Sequence, residues 1–166
     1  MNHLRESSSR PRIGITVHLA PVTPPHGQPE LRFELSARYV QAVREAGGIP
    51  LLIPTDSTSS IGEILECVDG LLLSGGGSLP SVYFEENPNP TLRQTNPVRY
   101  DFEVALVKEA WARGVPLLGI CRGHQTIAEA LGGELLCDLR QAGHPEHYQT
   151  EAPPVTTHTI RIEATS

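Results

Sequence analysis

Apolar positions in this chain come in short solid runs separated by segments of mixed polarity. "RIGITVHLA" (Arg12 to Ala20), "IPLLIP" (Ile49 to Pro54), "GLLLSGGG" (Gly70 to Gly77) and "VPLLGI" (Val115 to Ile120) are apolar or β-branched throughout and read as buried strands. Helical spacing fills the intervals. Leu31 to Gly48 carries Leu35, Tyr39, Val43 and Ala46 toward one side and is stopped by a glycine pair. Ser59 to Gly70 reads as a short helix capped by Ser59 or Ser60. Val98 to Gly114 is amphipathic, with Phe102, Ala105, Leu106, Glu109 and Ala110 near one side, and Arg122 to Gly133 is the helix after the fourth strand. The four prolines of "PVTPPHGQPE" predict an irregular segment, and Ser78 to Pro97 predicts a long polar loop of functional or lid-like kind. "ELLCDL" (134–139) and "THTIRIEA" (Thr157 to Ala164) are candidates for a fifth and a sixth strand.

Fully apolar strands alternating with helices predict an α/β fold, with a mostly parallel sheet covered on both faces as a three-layer sandwich. Ligands in such sheets bind at the carboxyl ends of the strands. Gly75-Gly76-Gly77 and Cys121 both fall at strand carboxyl ends, which makes them candidates for one shared site.

Composition narrows the picture. The 166 residues suit one domain, expected over 11–166 behind a polar leader, 1–10, that is expected to be disordered. A formal charge of −6 provides no basic face for nucleic acid or anionic lipid. No apolar run approaches the ~20 residues that span a bilayer, and the leader has no apolar core of a secretory signal. Three scattered cysteines do not suggest a disulfide framework, so a reducing cytoplasm is the expected compartment.

The chemistry concentrates at "GICRGHQ". A cysteine between a strand end and a helix start, flanked by Gly119 and Gly123, has the setting of a nucleophile elbow with sulfur in place of oxygen. The helix start at Arg122 directs unpaired N–H groups and a positive dipole end at the sulfur, which predicts a thiol pKa below the free value of about 8.5. The N–H of Arg122 would face an oxyanion formed in front of the sulfur. Beside this elbow the glycine run reads as a second oxyanion donor, since bare backbone approaches a ligand closely. Cys67 and Cys137 lack the setting and read as ordinary buried cysteines.

"GICRGHQ" resembles the nucleophile motif of the class I glutamine amidotransferase superfamily, and the wider pattern resembles its gamma-glutamyl hydrolase branch. "RIGIT", "YVQAVREAGGIPLLIP", "VDGLLLSGGG" and "FEVALVKEAWARGVPLLGICRGHQTIAEALGGEL" are each similar to blocks of that family, from about Pro11 onward. The resemblance implies a flavodoxin-like sandwich, incomplete at the C-terminus in this sequence. It implies Cys121 as the nucleophile that forms a thioester with a gamma-glutamyl amide. Arg122 and Gly76 or Gly77 would supply the oxyanion hole, Gln125 would help hold the glutamyl group, and Arg99 would contact substrate. Two positions depart from the family: Ser78 replaces an acidic residue after the glycine run, and Tyr100 follows Arg99 where an aspartate is usual.

The family also uses a histidine with an acidic partner, near the C-terminus, as the base. None of the seven histidines here matches it: His3, His18, His26, His124, His144, His147 and His158 each read as solvated or locally bonded. "HPEH" is too weak a pattern for a metal site, and neither a metal nor a cofactor is expected. Three functions stay open: a hydrolase of small gamma-glutamyl amides, impaired here by the missing partners; an amidotransferase subunit feeding ammonia to a synthase; and an inactive binding or assembly domain. An apolar face left open by the missing segment would favour a homo-oligomer.

Overall fold

The computed structural model describes residues 10–76 and 92–135. Strand β1 (Arg12–Val22) lies at the centre of a sheet with β3 (Ile49–Pro54) on one side and β4 (Gly70–Leu73) on the other; β5 (Leu117–Gly119) continues beyond β4. These four strands are parallel. The sheet is therefore mostly parallel, as the solid apolar runs predict.

Alternation along β4 shows how two helical layers are recruited. Leu71 and Leu73 face a cluster built with Ile61 and Leu65 of α2 (Ile61–Cys67), with Phe102, Leu106, Val107 and Ala110 of α3 (Pro97–Ala112), and with Ala130 of α4 (Arg122–Ala130). Leu72 faces the other way, onto Ile15 and onto Val43 of α1 (Ala37–Glu45). Successive strand side chains point to opposite faces, so one strand feeds both cores. The α1 face carries an open apolar groove of about 750 Å³, bordered by Ile13, Val43, Leu72, Leu118 and Ile120. No helix of the described residues is long and apolar enough to cross a membrane.

Several boundaries differ from expectation. The predicted helix from Leu31 begins only at Ala37, where the Ser36 side chain accepts from the N–H of Arg38. Glu30–Glu34 is instead strand β2, antiparallel to the far half of β1. Leu31, Phe33 and Leu35 also alternate, so this stretch suited either period, and pairing to β1 decided between them. The proline-rich segment is partly strand for a related reason. β1 leaves the parallel sheet after Val17, and Pro21 sits in the projecting arm, whose other side has no strand to pair with among the described residues.

Helix α2 is shorter than predicted. Ser57 caps a preceding turn at Thr58–Ser60 by accepting from the N–H of Ser59, while Ser60, at the N-cap of α2, makes no side-chain cap bond. Cys67 ends α2 exposed, correcting its reading as buried. Helix α3 matches the periodic pattern closely; Asn96 caps it by accepting from the N–H of Arg99, and Pro97 occupies its first turn. Residues 1–9 of the leader, Gly77, the polar loop to Thr91, Cys137, the candidate late strands beyond Leu135 and the late histidines lie outside the described residues.

Candidate active site

Strand β5 ends at Gly119, and after Ile120 and Cys121 the chain turns into α4. Cys121 adopts φ 53° and ψ −113°, and among the described residues it is the one non-glycine with positive φ. Such a conformation costs on the order of 1–3 kcal/mol and persists only where the surroundings impose it. Here they do. A Cβ on Gly119 would stand 2.5 Å from the His124 nitrogen, and one on Gly123 would overlap the Leu73 carbonyl. Backbones of β4, β5 and α4 thus approach too closely for any side chain at those two positions. The N–H of Ile120 donates to Leu73 at 3.0 Å and that of Gln125 to Cys121 at 3.1 Å. The result is a sharp strand-to-helix turn with an exposed thiol at its tip.

The end of β4 comes up beside it. A Cβ on Gly75 would lie 3.4 Å from the Cβ of Cys121, so the glycine run and the cysteine share one locality. The N–H of Gly75 donates to the Tyr39 hydroxyl at 2.9 Å. Gly76 is exposed at φ 95°, a value that L side chains rarely adopt.

Beneath the run lies Arg99, 1% exposed. It was expected to meet substrate, but its fork is spent on protein atoms. Nε donates to Glu103 at 2.9 Å and Nη2 to the Ser74 carbonyl at 2.7 Å, while Nη1 donates to the carbonyls of Gly75 and Gly76, both at 3.3 Å. Glu103 is fully buried and also accepts from Thr16 at 2.8 Å. Thr16 in turn accepts the N–H of Ser74 at 3.2 Å.

The side chain of Arg122 also turns inward, donating to Thr95 at 2.6 Å and to the Leu92 carbonyl at 3.4 Å. Burial lowers its pKa, and the nearby charge of Arg99 adds to the effect. Its backbone follows Cys121 directly and opens α4. Gln125 is exposed one helical turn after Cys121. Gly77 lies outside the described residues.

Sequence reasoning passed over Tyr39, Thr16, Ser74 and Glu103. The i, i+4 spacing of Arg99 and Glu103 was the available signal, although such pairs usually lie in solvent. The sequence alone leaves His18 as a solvated or locally bonded side chain. His18 stands in the arm of β1 opposite Glu34, 3.9 Å from its carboxylate, and its Cε1 would be 4.0 Å from a Cβ on Gly76. Burial lowers the His18 pKa, the Arg99 charge lowers it further, and Glu34 opposes both.

Sequence comparison gives the family. The profile of the peptidase C26 family matches residues 11–166. The chain belongs to the peptidase C26 family. Within it, the chain falls in the class I glutamine amidotransferase-like, gamma-glutamyl hydrolase branch. It is 34% identical over 130 residues, 77% of this chain and 55% of the relative, to the putative glutamine amidotransferase-like protein YvdE of Lactococcus lactis. It is 34% identical to protein NtpR of Enterococcus hirae over 129 residues, 75% of this chain and 53% of the relative. It is 30% identical to the gamma-glutamyl-gamma-aminobutyrate hydrolase PuuD of Escherichia coli over 141 residues, 78% of this chain and 54% of that protein. The chain thus spans about half the length of these curated relatives.

Proposed function

We propose that this peptidase C26 member acts on the gamma-glutamyl amide bond of a small substrate through Cys121. The observation that carries the reading is the exposed Cys121 at φ 53°, with Gly75 so near that a Cβ added there would lie 3.4 Å from that of Cys121. A thiolate there attacks the amide carbon, and the carbonyl oxygen becomes an oxyanion. The first N–H of α4, from Arg122, and the N–H of Gly76 are the donors that receive it. Collapse breaks the C–N bond, the amine leaves with a proton, and a thioester remains. Water then attacks the thioester, releasing the gamma-carboxylate and returning the thiolate. Gln125, exposed one turn along α4, contacts the glutamyl group.

The proton transfers need a base, and none of the described residues is assigned that role. The family's histidine and acidic partner are expected in the part of the relatives that this chain does not span. Ammonia transfer to a synthase uses the same half-reaction and is distinguished by turnover that rises when a synthase is added.

The test is incubation with a glutamine-like electrophile followed by peptide mapping, alongside release of p-nitroaniline from gamma-glutamyl-p-nitroanilide. Labelling confined to Cys121, and blocked by excess glutamine, is the expected result. Labelling at Cys67 with Cys121 untouched overturns the reading.

A further inference from the structure

Three successive carbonyl oxygens, those of Ser74, Gly75 and Gly76, converge on one guanidinium. In an extended strand successive carbonyls alternate between opposite sides, so this convergence requires the chain to leave strand geometry after Leu73. The positive φ of Gly76 turns the last of the three carbonyls. A trans peptide sets its N–H opposite its C=O. Each carbonyl drawn toward Arg99 therefore turns the following N–H away from it. The Ser74 carbonyl faces Arg99 of α3, and the N–H of Gly75 faces Tyr39 of α1, on the opposite side of the sheet. By the same geometry the Gly75 carbonyl turns the N–H of Gly76 away from Arg99. That N–H has no acceptor among the described residues, and the preceding residue lies beside Cys121, where an added Cβ would come within 3.4 Å of the cysteine Cβ.

We propose that Arg99 is a positioning residue: its planar fork sets the orientation of the Gly75–Gly76 peptide so that the N–H of Gly76 is available to the oxyanion at Cys121. This rests on the proposed use of Cys121. A flipped peptide would point an N–H at the guanidinium and a carbonyl at the developing negative charge, so both ends oppose the flip. Glu103 holds Nε of Arg99, and Thr16 holds Glu103 while accepting from Ser74, which ties the clamp to β1 and to the end of β4. A buried ion pair of this kind gains little over an apolar pair of the same shape, because both charges lose their water. Its consequence here is geometric. Lysine cannot replace it, since a single ammonium has no flat fork to hold three carbonyls in register.

The experiment compares two alkylating agents on the full chain. One is the chloroketone analogue of glutamine, with a chloromethyl group in place of the amide nitrogen. The thiolate forms an S–C bond, chloride leaves with the electron pair, and the ketone oxygen carries negative charge on the way. The other is iodoacetamide, which loses iodide by direct displacement and has no glutamyl group to seat its carbonyl in the site. In Arg99→Lys the chloroketone rate is expected to fall about 100-fold or more, the scale set by losing an oxyanion donor. The iodoacetamide rate stays within about threefold. A generally loosened structure would move both rates together. A chloroketone rate within threefold of wild type, in a variant that still melts cooperatively, overturns the proposal. Should Arg99→Lys lose its cooperative melt, Glu103→Gln, which keeps side-chain volume, is judged by the same rate criterion with a fall of about fivefold expected. If wild type itself shows no preference for the chloroketone, the proposed function fails and this inference fails with it. A wild-type preference that both variants retain removes the inference alone.

Discussion

The turn after β5 is shaped by backbones in contact, and the turn after β4 by a buried guanidinium. At the elbow, Gly119 and Gly123 let three main-chain segments close to distances that admit no Cβ, and Cys121 is forced into its strained conformation as a result. At the glycine loop, a Cβ on Gly76 would meet no described atom closer than 4.0 Å, and the direction of its carbonyl follows from Arg99. One half of the site is positioned by exclusion and the other by attraction. Steric contact acts over a fraction of an ångström and tolerates no substitution, whereas a charge-assisted clamp holds while its donors persist. The two halves should therefore fail differently when perturbed.

The largest effect is expected at the steric turn. Gly123→Ala places a methyl group into the Leu73 carbonyl. Overpacking against rigid backbone should cost on the order of 3 kcal/mol, read as a lowered denaturation midpoint together with slower alkylation of Cys121 by every reagent. An unchanged midpoint would show that the elbow has slack and would dissolve the contrast.

Gly76→Ala should be milder for the fold. Among the described residues its methyl group meets nothing closer than His18 at 4.0 Å, so the cost there comes from the positive φ, about 1–2 kcal/mol. Reaction with the glutamine chloroketone should fall by more than this loss of stability accounts for, while iodoacetamide labelling stays close to wild type. Equal falls for both reagents would count against a special role for this peptide.

The smallest effect concerns pH. In the folded chain the His18 pKa lies below its ordinary 6.5, chiefly through burial and the charge of Arg99. The unfolded chain then binds more protons in the interval between the two values. Stability should rise with pH through that interval and fall as acid enters it from above. Between about pH 7.5 and pH 5 the melting temperature of wild type should drop further than that of His18→Gln. The same drop in both would detach His18 from the charge around the glycine loop.

The parallel strands, helices α3 and α4 and the elbow were legible because each leaves a local trace: a solid apolar run, a helical period, or two glycines around a cysteine. Strand β2 was not, since "LRFEL" suits both periods and only pairing to His18–Val22 selects the strand. The expected role of Arg99 in holding substrate also missed its place, because its burial depends on residues far away in the chain.

What the sequence determined by itself is the order of strands and helices, the position of Cys121 between them and the need for glycine on either side. These depend on neighbours within a few residues, where backbone sterics dominate. Tertiary structure alone decided which way the Gly75–Gly76 peptide faces and what Arg99 does. That outcome joins Thr16, Ser74, Arg99 and Glu103, which meet only after the sheet and α3 have packed. Charges and hydrogen bonds gain their directing force once water is excluded, and exclusion of water is a property of the folded interior.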